Sequence, residues 1–259
     1  MKAVGQDPVV SARILAFANS AHVAPAAEVG SIRQAAVLLG LRRVAEVAAC
    51  VAGGALFDPA SRVRSDMFGD CWRRIHHHAM TSALTSSWLA MKLGPSSSDA
   101  FLAGLLHALG KPFLLQSLGA VLVSVEGVDA PDEDVVDDVL ELLLPDANRA
   151  LMGAWNVPTS VRNVCCPGDV ACVTDELRHD QHVVNVAAGF DGLRLRPRLF
   201  LPREDALSSS IAALGLSRRD LRALRRQLDE FAATVDALLA AGAGACADRA
   251  VATSTPHLV

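Results

Sequence analysis

The residues in this 259-residue chain best suited to chemistry are its histidines, above all His107 and the run His76-His77-His78. Imidazoles and carboxylates together hold divalent ions, which supply a hydroxide and neutralise phosphate charge. His107 lies in Asp-Ala-Phe-Leu-Ala-Gly-Leu-Leu-His-Ala-Leu-Gly-Lys-Pro-Phe-Leu, residues 99–114. This stretch reads as a buried helix with one polar side chain, punctuated by Gly110, Lys111 and Pro112. A carboxylate directly after His107 would complete half of a metal site, but that residue is Ala108. The three consecutive histidines cannot converge on one ion, because successive helical residues point about 100° apart. At most one of them faces a common groove, and His78 is the expected one, with the other two solvated. His107 itself is expected to bond a backbone carbonyl or another histidine.

Other chemistries find little support. The six cysteines (50, 71, 165, 166, 172, 246) form no C-x-x-C pair, and the adjacent Cys165 and Cys166 suit neither zinc nor an ordinary disulfide. They read as reduced, mostly buried thiols. No phosphate-cradling glycine loop, no supported Ser/His/Asp order and no basic stripe with interleaved aromatics is present. The segment Arg194-Leu-Arg-Pro-Arg198 could grip a phosphate or an acidic surface, or simply be a solvated connection. Arg42-Arg43 reads as a cap or shield for a helix pair, and the acidic residues from Asp129 to Asp138 as a helix N-terminus.

The elements that must position these residues are all helical. Half the residues are apolar, aromatics are scarce and Tyr is absent. No segment alternates as a sheet strand does. A net charge of −4 gives no bulk attraction to nucleic acid or anionic membrane. No apolar run reaches the roughly 18–20 residues of a membrane span, and Asp7-Pro8 and Arg13 interrupt any signal-peptide pattern. A soluble, cytoplasmic protein is expected.

Asp7-Pro8 predicts a helix start with Val10, Ile14, Phe17 and Ala18 inward, ending at Asn19-Ser20. Ser31 caps a second helix that Gly40 stops, and a third runs from Leu41 or Arg42 to Gly53-Gly54. Asp58-Pro59 marks a connection between lobes. A long amphipathic helix follows from about Ser65 to Leu93, closed by Gly94-Pro95, and Ser96 to Ser98 lead into the helix of His107. Val121 to Asp134 reads as an acidic loop, Val135 to Leu143 as a helix, and Pro145-Asp146 as the start of another. Pro158 opens a short helix before the turn Cys166-Pro167-Gly168. A further helix is expected over Asp175–Ala188, then an Arg-rich loop from Gly189 to Arg203. Ser217 to Asp220 matches a capping box for a last helix reaching Ala241.

Three pieces in this order resemble the HDOD family, bacterial signalling domains related to HD-type metal phosphohydrolases. They are Asp7-Pro-Val-Val-Ser-Ala-Arg-Ile-Leu-Ala-Phe-Ala-Asn-Ser20, Ser31-Ile-Arg-Gln-Ala-Ala-Val-Leu-Leu-Gly-Leu-Arg-Arg-Val44, and Ala100-Phe-Leu-Ala-Gly-Leu-Leu-His107 leading to Gly110-Lys111. Trp155-Asn-Val-Pro158 is similar to the family's Trp-Gly-Leu-Pro. The resemblance implies an all-α, multi-helix bundle over residues 4–190. A small N-terminal helical lobe (4–57) would precede a larger degenerate HD-like lobe (65–190). Helices of 204–242 would pack on it, and 243–259 would be a flexible tail. Such domains usually carry a further helical segment before the Asp-Pro motif, so the resemblance implies either a misplaced start codon or a truncated lobe.

Matched to the HD pattern, His78 takes the place of the first histidine and His107 of the second, with Ala108 in place of the carboxylate. Aligning His182-Val-Val-Asn185 with the family's His-x-x-Asp puts Asn185 where the last carboxylate would be. What the resemblance implies is a vestigial pocket of His78, His107, Lys111, His182 and Asn185, with His78 and His107 as weak metal candidates at most. No catalytic residue and no cofactor are expected. The implied function is a non-catalytic signal-transduction module that binds other signalling proteins or senses a small molecule, with neither nucleic acid nor membrane as partner. A metal-dependent phosphohydrolase, or a nucleotide sensor using the vestigial pocket, are the alternatives.

Overall fold

The computed structural model describes residues 11, 14–15, 17–19, 23, 25, 27–53, 65–94, 99–125, 131–166, 175–195, 200 and 204–252. Among them every regular element is a helix: α1 (Ile32–Leu39), α2 (Leu41–Gly53), α3 (Ser65–Leu93), α4 (Ala100–Leu106), α5 (Gly110–Ser124), α6 (Glu133–Ala154), α7 (Thr159–Cys165), α8 (Asp175–Leu195), α9 (Glu204–Ala213) and α10 (Arg218–Ala252). Residues 11, 14, 15, 17 and 18 are also helical, with Ile14, Phe17 and Ala18 buried as the periodicity predicts. The Asp7-Pro8 start, the Asp58-Pro59 connection, the Ser96–Ser98 loop and the Pro167-Gly168 turn lie outside the described residues.

The chain forms two compact units, one of residues 1–55 with 230–259 and one of 56–229. In the first, Ser31 caps α1 by accepting from the Gln34 N–H, and Gly40 ends it at φ 82°. A side chain other than glycine is strained in that left-handed region. Asn19 clamps the following loop, donating to the Val29 carbonyl (3.0 Å) and accepting from the Val29 N–H (2.8 Å). Arg42 and Arg43 both pair with the buried Glu46, which gives the two cations a specific partner.

The second unit is built along α3, which packs against α4 and α8. From Ile75 to Ser87 every residue of α3 is buried. Small side chains let α4 approach closely: a Cβ at Gly104 would lie 2.7 Å from Ser86 Oγ and 2.9 Å from the Ala83 Cα. Leu89 and Ala90 of α3 join Val183, Val186 and Phe190 of α8 and Leu224 and Leu228 of α10 in one apolar cluster. The capping box of α10 is formed, with the Asp220 N–H donating to Ser217 Oγ and the Ser217 N–H to Asp220 Oδ2.

Five boundaries differ from the sequence reading. The stretch 99–114 is not one helix: it breaks at 107–109, and Gly110-Lys111-Pro112 open α5 rather than close its predecessor. Proline is at home in a first turn, where its missing N–H would have had no partner. The expected loop from Val121 is helical to Ser124. The two helices expected around Pro145 are one helix, α6, in which exposed Pro145 leaves a carbonyl to water. Most consequentially, α8 runs through Gly189 to Leu195. The last helix also continues to Ala252, past the expected start of the tail.

The stretch Ala100–Ser124 has the length and apolarity of a membrane span, contrary to the sequence reading. The break at 107–109 divides it, and Ala100, Phe101, Ala103, Gly104, Leu105 and Leu106 are core residues.

Candidate functional site

Three elements bring the principal side chains together. His78 is carried by α3, His107 by the turn after α4, and Asp191 by the last two turns of α8. His78 Nδ1 lies 2.6 Å from Asp191 Oδ2, and His78 Nε2 lies 3.1 Å from His107 Nε2. His107 Nδ1 donates to the Gly104 carbonyl at 2.8 Å. The result is a continuous line of contacts from carboxylate through two imidazoles to the backbone.

The histidine turn is fastened from a fourth helix. Asn148 of α6, itself buried, accepts from the Gly110 N–H (2.7 Å) and donates to the His107 carbonyl (2.7 Å). Both groups are backbone atoms freed by the helix break, so one amide satisfies both ends of it. Phe200 closes another side, its ring centroid 4.7 Å from that of His78 and 4.9 Å from Lys111 Nζ. Gly192 makes this possible: a Cβ there would stand 1.7 Å from the Phe200 carbonyl oxygen.

The electrostatics follow from burial. His107 is pushed down to about 3 by burial and then by the neighbouring His78. Burial also lowers His78, against the hydrogen bond and charge of Asp191. Burial alone would raise Asp191, but the His78 hydrogen bond and charge, then Arg194, hold it below the usual carboxylate value. Arg194 grips the other carboxylate oxygen, Nε at 2.9 Å and Nη2 at 2.8 Å from Oδ1. Its Nη2 also reaches His77 Nδ1 at 3.1 Å. Lys111 is brought down to about 8 by burial, although Cys71, Asp137 and Glu141 work the other way.

The residues expected to share one pocket divide into two groups. His78, His107 and Lys111 meet around Phe200 and Asp191. His182 and Asn185 instead both bond Ser210 of α9, at 3.0 and 3.4 Å. The carboxylate of α8 that meets the imidazoles is Asp191, six residues beyond Asn185. All three of His76, His77 and His78 are buried, where two were expected in solvent. Asp191, Asn148 and Phe200 were not singled out in the sequence. The reading of Gly189 as a helix stop concealed Asp191. A periodicity check of 180–195 would have put it on the face of Val183, Val184 and Ala187.

The site is poor in anionic donors, with Asp191 the carboxylate beside the two imidazoles. Asp191 has both oxygens engaged, by His78 and by Arg194. Ala108 offers no ligand, and what remains is two imidazole nitrogens without a free negative charge. Among the described residues no three His, Cys, Asp or Glu side chains converge as a metal site.

A family model, the HDOD domain, matches residues 1–166. Among curated proteins none matches the sequence closely. An HDOD domain protein of unknown function from Geobacter sulfurreducens is similar in structure, with a TM-score of 0.61 and 23% identity over 92% of this chain and 84% of that one. A candidate metal-dependent phosphohydrolase from Shewanella amazonensis aligns with a TM-score of 0.59 and 19% identity over 90% and 83% of the two chains. A candidate signal transduction protein from Marinobacter aquaeolei aligns at 0.54 and 23% identity, over 93% of this chain and 53% of that one. At these identities the likeness establishes a shared helical fold.

Proposed function

The chain belongs to the HDOD family, and from that premise we propose that it is a non-catalytic signal-transduction module. It acts in the bacterial cytoplasm by contact with other signalling proteins or by sensing a small ligand. The observation that carries this reading is the engagement of Asp191. A hydrolase of the related HD type needs carboxylates to balance the charge of a metal and its hydroxide. Here the carboxylate holds His78 and Arg194 and lies fully out of solvent. The arrangement fastens α3, α4 and α8 together instead of presenting reactive atoms.

Hydrolysis and metal content test this directly. Purified protein is expected to hold less than one tenth of an equivalent of Mn, Fe, Zn or Ni, and to leave bis-p-nitrophenyl phosphate intact with Mn2+ added. Stoichiometric metal together with chelator-sensitive hydrolysis would overturn the reading. Affinity capture from the native cell is expected to recover a signalling protein as the partner.

A further inference from the structure

Residues of α8 and α10 line a cleft of about 250 Å3: Phe190, Leu193, Arg194, Arg225, Leu228 and Asp229. All six belong to the second unit. The cleft is lined by two chemically different sets of side chains. Phe190, Leu193 and Leu228 make an apolar one, with Phe190 and Leu228 part of the core cluster. The guanidiniums of Arg194 and Arg225 make a cationic one.

Neither guanidinium is exhausted by its existing contacts. Arg225 stands over the ring of Phe190, its Cζ 5.7 Å from the centroid, and makes no ion pair among the described residues. Stacking uses the face of a guanidinium and leaves the in-plane N–H groups free to form a fork. Arg194 uses Nε and Nη2 on Asp191, which leaves Nη1. Asp229 at the same cleft supplies one carboxylate. The volume is just below the roughly 300–1,000 Å3 of drug-sized ligand sites, so the occupant is small.

We propose that this cleft binds a small organic oxyanion with an aromatic body, the ring against Leu193 and Leu228 and the phosphate or carboxylate on Arg225 and Arg194. The site deepens the ligand-sensing half of the proposed function and is separate from the buried histidine pair. It is nonetheless wired to that pair, because Arg194 holds Asp191 and Asp191 holds His78. An occupant that draws on Arg194 alters the hold on Asp191.

Calorimetry on the full chain tests the site with phenyl phosphate and benzoate as the two oxyanion arms, and phenol and inorganic phosphate as single-half controls. At least one arm is expected to bind tenfold or more tightly than either control. Arg225→Ala, an exposed change, is expected to weaken that arm at least tenfold, whereas Asp229→Asn strengthens it by removing a like charge. In NMR the ring signals of His78 should shift on binding, and Arg194→Lys should reduce that shift. No binding of either arm at millimolar concentration, no preference over phenol and phosphate, or unchanged affinity in Arg225→Ala would each overturn the site. None of these results bears on metal content or hydrolysis, so the two readings fail separately.

Discussion

His78 and His107 face each other nitrogen to nitrogen, Nε2 to Nε2 at 3.1 Å, and both already use their Nδ1 atoms elsewhere. A carbonyl only accepts, so His107 carries a proton on Nδ1 toward Gly104. The ionised Asp191 likewise accepts a hydrogen bond from the His78 Nδ1–H. The two Nε2 atoms therefore meet lone pair to lone pair unless one further proton lies between them. Where that proton enters, it resides on His78, whose charge Asp191 balances, while burial and the adjacent His78 keep His107 low.

The pH dependence of stability has a definite sign. Both imidazoles are depressed below 6.5 in the folded protein, so the unfolded chain binds more protons as pH falls below that value. Stability then rises with pH and is lost on acidification from about 6.5 downward. Each pH unit between the folded and unfolded values is linked to about 1.4 kcal/mol, so the loss amounts to several kcal/mol. Asp191, also depressed, adds to the loss below 3.8. Melting temperatures from pH 8 to pH 4 should be level at first and then fall steeply; a flat profile from 6.5 to 4.5 would refute this assignment.

Asp191 is the structural keystone of the site. Asp191→Ala leaves Arg194 and His78 without their carboxylate in a buried setting, which costs about 3–5 kcal/mol. Changing both partners should cost less than the two single changes together, because the double variant Asp191→Ala/Arg194→Met leaves no orphaned charge. Urea unfolding of the four proteins in that cycle measures the coupling. Additive effects would show that the Asp191–Arg194 pair contributes nothing as a pair.

Much of this fold can be read from residue patterns, and the exceptions share a cause. The Ser31 cap, the Gly40 stop, the Ser217 capping box and the long helix from Ser65 are local signals, and local chemistry decides them. The His107 turn and Gly189 are places where tertiary packing overrides the local signal. Gly110 and Pro112 look like a helix end until Asn148, 38 residues beyond Gly110, is seen to satisfy the broken backbone. Gly189 and Gly192 look like a loop until Phe200 is found against Gly192. The family resemblance located His78 and His107. Asp191 is the third residue of the expected Gly189–Arg203 loop, and matching His182-Val-Val-Asn185 to the family's His-x-x-Asp puts Asn185 in its place.

Lys111 gives a prediction of the opposite practical kind, a stabilising substitution. Its ammonium is buried and its folded value is about 8 against 10.5 for a free lysine. Between those values the unfolded chain holds the proton more tightly, so stability rises with pH through that window. Lys111→Met removes the burial penalty while filling similar volume, at the loss of the contact with the Phe200 ring, worth about 0.5–2 kcal/mol, and of the ammonium's further polar contact. The variant should gain about 1–2 kcal/mol over wild type at pH 7, and the gain should vanish near pH 10.5. Parallel denaturation curves at the two pH values decide it; a gain independent of pH would place the effect in packing instead of charge.

Gly192→Ala tests whether Phe200 acts as the cover of the histidine pair. The added Cβ would lie 1.7 Å from the Phe200 carbonyl oxygen and 2.7 Å from its carbonyl carbon, so the backbone at 200 has to move. The helical backbone of α8 itself favours alanine by about 1 kcal/mol, which isolates the clash as the source of any loss. Overpacking of this kind costs about 1–3 kcal/mol, and displacement of Phe200 opens His78 and Lys111 to water. Hydration weakens the burial that depresses both groups, so their folded values should move back toward 6.5 and 10.5. NMR titration of His78 and Lys111 in Gly192→Ala reads this directly. A variant that loses stability with both titrations unchanged would mean that Phe200 supports the fold without sealing the site.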